Sequence, residues 1–550
     1  VLNLLQSYCT ELWHDEAYYW VFAQHLDWGY KDHPPLVAAL VAAGYALFKN
    51  ELGVRLFMVL ASTGSLWLLW KMVRPASKWL FFSLTGSILM VQVGGYVAVP
   101  DVPLLFFTVL YFYLLRQYLE RDSWWTALGI ALTLACMAYA KYHGALVLIF
   151  TLLPNLGLLR RPSAWLIPVV VGLLLTPHLL WQWQNDFPTF RYHFIDRKGE
   201  HVYEWRFITD YLLGQVLVWG PLISIPAFIG AVRYRGVGSF ERTLKWVFYG
   251  TFGFFLLQSF GQRIEANWTA IALVPVVYFA VRQAERVSSF RKWCSALFVP
   301  SLLLMLLLRV YFVWDFLPKG LNPRNEFHGW DKWAADLADI AGDKPVVFLN
   351  RYQKPSKYLF YAQKSAHVLT VNEDTGTQFD LLTGSEEAVQ GKSVYLMVDF
   401  ASSIDKMDTV VTLPRSGRRM GYNLVDNFRS YNRVRISIDH GSLELPPDTT
   451  VSLQVTILNP TANTVRFDTT GARGVELKYN VLDGLVIVKH GTALAHLPFG
   501  ELRPGEAVRA TVQVGSPGTP GKYRYRLAFH TGGLYTGRNS VFQPMVVRRR

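Results

Sequence analysis

Several short stretches put groups capable of proton and phosphate chemistry right beside apolar runs. ELWHDEAYYW (residues 11–20) carries His14, Asp15 and Glu16, and GYKDHPPL (29–36) carries Lys31, Asp32 and His33. Further along come VPDVP around Asp101, AKYHG with Lys141 and His143, and GQRIEANW with Arg263, Glu265 and Asn267. A carboxylate at a membrane boundary can orient or deprotonate a hydroxyl, while cationic donors can take up the charge of a departing phosphate. Asp15 is the candidate base, because partial desolvation raises a carboxyl pKa and makes the ionised form more basic. Asp101 could hold the geometry of Asp15, bind sugar hydroxyls, or share a divalent metal with Asp15 and Glu16, and the three acids form the expected catalytic set. Lys141, Arg263 and His33 are candidates for the phosphate, and Glu265 and Asn267 for substrate hydroxyls.

The elements that must position these groups come from the apolar pattern. The 550 residues are 51% hydrophobic, 15% aromatic and only 17% charged, and the averages conceal two halves. Up to about residue 315, apolar runs approach the ~20 residues needed to cross a bilayer, with charges confined to the gaps. About ten spans are expected, at 52–70, 79–99, 103–119, 124–140, 143–159, 163–182, 206–232, 243–260, 267–283 and 293–314, with a clipped first helix before the acidic run. Beyond that the runs shorten and Gly and Pro turns appear. WDKWAADLADIA, PVVFLN and SVYLMVDF suggest a small α/β layer, and the alternation of Val451, Leu453, Val455 and Ile457, then Tyr523, Tyr525, Leu527 and Phe529, suggests a β-sandwich. The expected division is 1–318, 319–425 and 426–550.

The net charge of +14 does not point to nucleic acid, because the basic residues cluster between spans, as in Lys71, Arg74 and Lys78, or Arg282, Arg286, Arg291 and Lys292. That is the signature of cytoplasmic loops. The gaps holding Asp15, Asp32, Asp101, Lys141, the long 183–204 stretch and Arg263 then all face outward, together with the C-terminal half. For this parity to hold, the 34–48 segment must lie along the outer interface instead of crossing. The three cysteines all fall in the membrane half, which leaves the redox compartment open.

Each residue also has a plainer use. Interfacial Asp, His and Trp cap helices or anchor at headgroups, Lys141 could snorkel from a helix end, and Glu265, Asn267 and Trp268 could be structural. The Tyr and Trp residues of 181–205 read first as an interfacial belt, and the NWT sequon at 267–269 as coincidence. Asp15 and Asp101 stand apart because parity puts both on one face.

Taken in order, HDEAYYWVFAQHLDWGYKDHPPL, VPDVPLLFF, AKYHG, LLWQWQNDFPTFRYHF, IEANWTA and NRYQKPSKYLFY resemble the bacterial branch of the GT-C membrane glycosyltransferases, related to dolichyl-phosphate-mannose protein mannosyltransferases (glycosyltransferase family 39) and to the lipid A aminoarabinose transferase. The resemblance covers about residues 1–380. It implies a multi-pass cytoplasmic-membrane enzyme moving a sugar, with inversion, from a polyprenyl phosphate to a glycolipid, polysaccharide or protein on the extracytoplasmic side. The family's two external acids match Asp15 and Asp101, and His33 stands where the aminoarabinose branch has a lysine before the proline pair.

No cofactor and no nucleic acid partner is expected; a divalent metal shared by the acids is the less favoured alternative to a metal-independent reaction. A nucleotide-sugar enzyme is disfavoured by the lack of a glycine-rich phosphate loop after a strand. The rival from another class is a transporter or flippase for lipid-linked or small polar substrates, yet carriers place ionisable residues near the midplane of two related halves.

Overall fold

The computed structural model describes residues 1–192, 203–236, 238–318, 321, 325–371, 376–398, 404–405, 407–439, 442–468, 474–484, 486–531 and 535–548. The middle of the expected 183–204 loop and the residue-319 boundary lie outside the described residues. The chain forms two compact units, one from residues 1–194 and 201–331 and the other holding 332–550.

The first unit is helical: α1 (Leu2–Cys9), α2 (His14–Gln24), α3 (Leu36–Leu47), α4 (Glu51–Val73), α5 (Lys78–Gly86), α6 (Leu89–Val93), α7 (Asp101–Glu120), α8 (Trp124–Ala140), α9 (Gly144–Leu152), α10 (Leu166–Gln184), α11 (Pro188–Arg191), α12 (Trp205–Val218), α13 (Ser224–Arg233), α14 (Ser239–Gln258), α15 (Leu273–Arg286) and α16 (Ser288–Val313). Among the described residues, four stretches are long and apolar enough to cross a membrane: Glu51–Val73, Asp101–Glu120, Pro162–Gln184 and Ser288–Val313. Trp124–Ala140 and Gly144–Arg160 are apolar but shorter. This is a multi-pass membrane unit, as the apolar runs imply.

Two expected spans are broken instead of continuous, and the breaks meet. The 79–99 run divides into α5 and α6 around Ser87, and the 206–232 run divides into α12 and α13 between Trp219 and Ile223. Gly220 turns there with φ +97°, and a Cβ on it would sit 2.3 Å from the Ser87 carbonyl oxygen, so only glycine fits. A helix broken inside a membrane must find partners for its freed carbonyls. Gln92 Nε2 donates to Gly86 O at 2.6 Å, closing the end of α5, and Arg309 of α16 donates to Gln92 O at 3.0 Å and to Gln92 Oε1 at 2.7 Å.

The 34–48 segment forms α3, whose 12 residues rise about 18 Å, short of a ~30 Å hydrocarbon core. It packs on α4 so closely that a Cβ on Gly44 would lie 2.1 Å from Gly53 O. The basic ends gather at one end of the bundle: Arg116 donates to Met72 O, Arg161 to Leu119 O and Arg286 to Arg235 O. α7 and α8 form an antiparallel pair joined by Arg121–Ser123, with Ser123 capping α8 through its side chain. The start of α7 and the end of α8 therefore lie together, remote from that basic turn.

α17 (Trp330–Ala341) begins at the end of the first unit and continues into the second, where α18 (Gln353–Ala362) accompanies a sheet of β1 (Val346–Leu349), β2 (Ala366–Leu369), β3 (Val394–Val398), β4 (Thr409–Thr412) and β5 (Arg419–Val425). Its order is β2-β1-β3-β5-β4, parallel through the first three and antiparallel at β5 and β4. Beyond it, a three-stranded sheet (Arg435–Ile438, Thr450–Leu458, Ala507–Gly515) faces a larger one that includes Val475–Asp483, Val486–Leu494, Gly521–Thr531 and Gln543–Val547. Val455, Ile457, Val512 and Val514 from the first, with Leu477, Val481, Tyr525, Leu527 and Met545 from the second, are fully buried in one shared core. That is the sandwich the alternating pattern implies.

Candidate active site

α2 begins at His14, which puts Asp15 and Glu16 in its first turn, where a carboxylate is favoured by the exposed backbone N–H groups. Successive helical residues point about 100° apart, so the two acids have different fates. Asp15 is exposed and Glu16 is fully buried. Glu16 accepts from Trp13 N at 2.8 Å, Ala98 N at 2.7 Å, and Arg55 Nε and Nη2 at 2.7 and 2.6 Å. Arg55, also fully buried, gives its other three N–H groups to the carbonyls of Ser7, Thr10 and Glu11. All five donors of the guanidinium are thus used, and neither oxygen of Glu16 faces solvent. Expected beside Asp15 in the catalytic set, Glu16 is instead a strut between α2, α4 and the loop that leads through Ala98 to Asp101.

The protein itself leaves Asp15 uncovered. The desolvated carboxyl nearby is Asp32, whose Oδ1 is enclosed and whose pKa is pushed up to about 7, chiefly by burial and further by the charge of Asp15, against the opposing pull of its own backbone N–H and of Lys31. His33, the next residue, accepts or donates through Nε2 to the Tyr19 hydroxyl at 3.0 Å, which ties the loop back to α2.

The second group forms where α7 begins and α8 ends. Asp101 is the first residue of α7 and Lys141 follows the last of α8, so the antiparallel pairing brings together side chains 40 positions apart. Lys141 Nζ lies 2.9 and 3.0 Å from the two oxygens of Asp101, and the side chains are only 10% and 14% exposed. A lysine carries three N–H donors, so one remains for another acceptor. His143, two residues on, packs its ring 4.8 Å from Trp268 and 5.6 Å from Phe255, which draws in the segment holding Glu265 and Asn267. Asn267 is half-buried in the 3₁₀ helix Ala266–Ala272. Arg263 is not drawn in: its side chain is 70% exposed, with Glu265 3.8 Å away.

A network absent from the sequence reading lies alongside. His178 of α10 contacts Trp28 O through Nδ1 at 2.6 Å and the Tyr142 hydroxyl through Nε2 at 2.8 Å. Because a carbonyl only accepts, Nδ1 carries the proton and Nε2 accepts from Tyr142. Gln182 donates to Thr189 Oγ1, and Thr189 donates to Tyr30 O at 2.8 Å, so the loop before α3 is held by α10 and α11. Among the described residues, no three His, Cys, Asp or Glu side chains gather to hold a metal ion.

A multi-pass helical unit followed by a unit rich in β-strands, with acids at the starts of α2 and α7, is an arrangement that can be compared with known membrane proteins. The chain resembles two structures of ArnT from Cupriavidus metallidurans, one apo and one bound to undecaprenyl phosphate; each has a TM-score of 0.55 and covers 76% of this chain and 95% of ArnT, at 14% and 13% identity. Residues 32–181 match the family of dolichyl-phosphate-mannose-protein mannosyltransferases, and the likeness inferred from the motifs holds. A lipid A galacturonosyltransferase, RgtD of Rhizobium johnstonii, is 26% identical over 296 residues, which are 50% of this chain and 62% of RgtD. The chain thus aligns with less than two thirds of that relative's length.

Proposed function

We propose that the protein transfers a sugar, with inversion, from a polyprenyl phosphate to a glycolipid acceptor on the extracytoplasmic face of the cytoplasmic membrane. The observation that carries this is the strut from Glu16 and Arg55: one buried carboxylate fixes both the turn that presents Asp15 and the loop that leads to Asp101. Asp15, exposed at the start of α2, takes the proton from the acceptor hydroxyl. Lys141, anchored by Asp101, offers its remaining donor to the leaving phosphate, whose charge grows as the bond to the sugar breaks. Glu265 and Asn267 supply acceptors and donors for sugar hydroxyls.

The ArnT structure with undecaprenyl phosphate and the lipid A transferase relative support a polyprenyl carrier and a lipid A-type acceptor. The basic end of the bundle, opposite Asp101 and Lys141, supports the extracytoplasmic placement of the site, since such loops remain in the cytoplasm. No cofactor is required for this displacement. The test is purified full-length protein with radiolabelled polyprenyl-phosphate sugars and lipid A: label should pass covalently to the glycolipid. Label that crosses the bilayer of proteoliposomes still attached to its carrier would instead identify a flippase.

A further inference from the structure

The β-sandwich leaves one apolar end open. On the edge strand Val486–Leu494, Val486, Ile487 and Val488 are 67%, 40% and 45% exposed. Consecutive residues of a strand point to opposite faces, so three exposed in a row mean that neither face of this strand is covered at its turnward end, although Val481 and Leu482 on the partner strand are buried. The pairing explains how: Asp483 opposes Val486, Leu482 opposes Ile487 and Val481 opposes Lys489, which leaves Val488 as the extra residue of a bulge. Runs of exposed apolar residues on an edge are costly unless something covers them.

The surroundings say what covers this one. Arg524 donates to Gly484 O in the hairpin turn at 2.9 Å and its guanidinium lies 5.0 Å from the Phe542 ring; Lys522 is exposed two residues before it on the same strand. No carboxylate of a described residue pairs with Lys522 or Arg524, while Lys489 and Arg548 pair with Asp448 and Glu444 at 3.3 and 2.7 Å. Val541, beside Phe542, adds a further side chain 59% exposed. Exposed apolar residues at the end of an edge strand, with Arg524 level with Ile487 and Lys522 two residues nearer the turn, match an anionic lipid surface, in which the apolar side chains enter the acyl boundary and the cations meet phosphates. Three strand residues reach about 10 Å, the depth of that boundary layer. The same chain carries membrane spans, so lipid is always present at high effective concentration. The bulge, by interrupting a regular edge, works against the alternative of strand addition from a second copy.

We infer that the end of the sandwich formed by Val486–Val488, Lys522 and Arg524 docks on anionic phospholipid. The full chain, with Cys9, Cys136 and Cys294 changed to serine and its transferase activity verified, is placed in single-copy nanodiscs of phosphatidylcholine with or without phosphatidylglycerol. An environment-sensitive fluorophore is attached at Val486→Cys, or at Ala507→Cys at the far end of the sandwich. Nitroxide-bearing lipids should quench the label at 486 at least about twofold more than the label at 507 in anionic discs, and Lys522→Glu with Arg524→Glu should remove roughly half of that quenching or more. Equal quenching at the two positions overturns the proposal. So does shielding of the label at 486 that appears in lipid-free micelles and grows with protein concentration, which would identify a second copy as the occupant.

Discussion

Arg55→Met tests whether the strut holds the site together. The substitution nearly preserves the length of the side chain but removes five hydrogen bonds at once. The Glu16 carboxylate would keep only the Trp13 and Ala98 N–H groups, and three carbonyls would lose their shared donor. Removing one partner of a buried ion pair costs about 3–5 kcal/mol, a large share of the ~5–15 kcal/mol by which folded domains exceed their unfolded states. At about 2 °C per kcal/mol, thermal unfolding should fall by roughly 6–10 °C. The assay is full-length protein in detergent, followed by reaction of a thiol dye with Cys294, which is buried in the folded state. Glu16→Gln added to Arg55→Met should restore much of the loss, because a neutral amide no longer strands a charge, while its oxygen can still accept from Ala98 N. Turnover should not return with stability. The turn bearing Asp15 and the loop before Asp101 would be joined by one neutral bond instead of a locked pair, and misplacement near 1 Å costs about 10²-fold in rate. An Arg55→Met protein that unfolds within 1–2 °C of the parent would refute the strut. A double variant with full turnover would refute its role in positioning.

Asp15→Asn should lower turnover at least ~10²-fold with thermal unfolding unchanged, since the residue is exposed, and near-normal turnover would remove it as the base. Lys141→Met strands the Asp101 carboxylate, so it should cost both stability and rate; pairing it with Asp101→Asn should recover stability but leave the rate at least ~10²-fold down, and recovery of both would show a purely structural pair. Asp32 gains its charge as pH rises past about 7, next to His33, a candidate for the donor phosphate, so the donor KM should climb between pH 6 and 8 and stay flat in Asp32→Asn; the same climb in the variant would rule Asp32 out. Because the folded-state pKa of Asp32 lies above its ordinary value, its contribution to stability is complete in acid and is lost as pH rises towards 7, so Asp32→Asn should raise the unfolding temperature at pH 8 more than at pH 5.

What the sequence shows plainly is what depends on neighbours along the chain. The apolar runs locate α4, α7, α8, α10 and α16 closely, and the alternation in 451–457 and 523–529 marks the two faces of the sandwich core, because burial on one side imposes a period that is visible locally. Asp101 and Lys141 are individually legible at span ends, but their pairing depends on α7 and α8 running antiparallel, which follows only once the short Arg121–Ser123 turn is recognised. Arg55 leaves a trace that can be missed: a lone arginine inside an otherwise apolar run is expensive unless a partner waits for it, and the carboxylate of Glu16 that meets it lies 39 residues earlier in the run assigned to catalysis. The breaks in the 79–99 and 206–232 runs are harder still. Gly220 followed by Pro221 is a local breaker, yet nothing local at Ser87 requires one: the Gly86 carbonyl at the break is met by Gln92, whose side chain is held in turn by Arg309, 217 residues further on, and the room for the break is made by Gly220 against the Ser87 backbone. A hydropathy window sums the residues it contains, and those that make a broken membrane helix tolerable lie outside it.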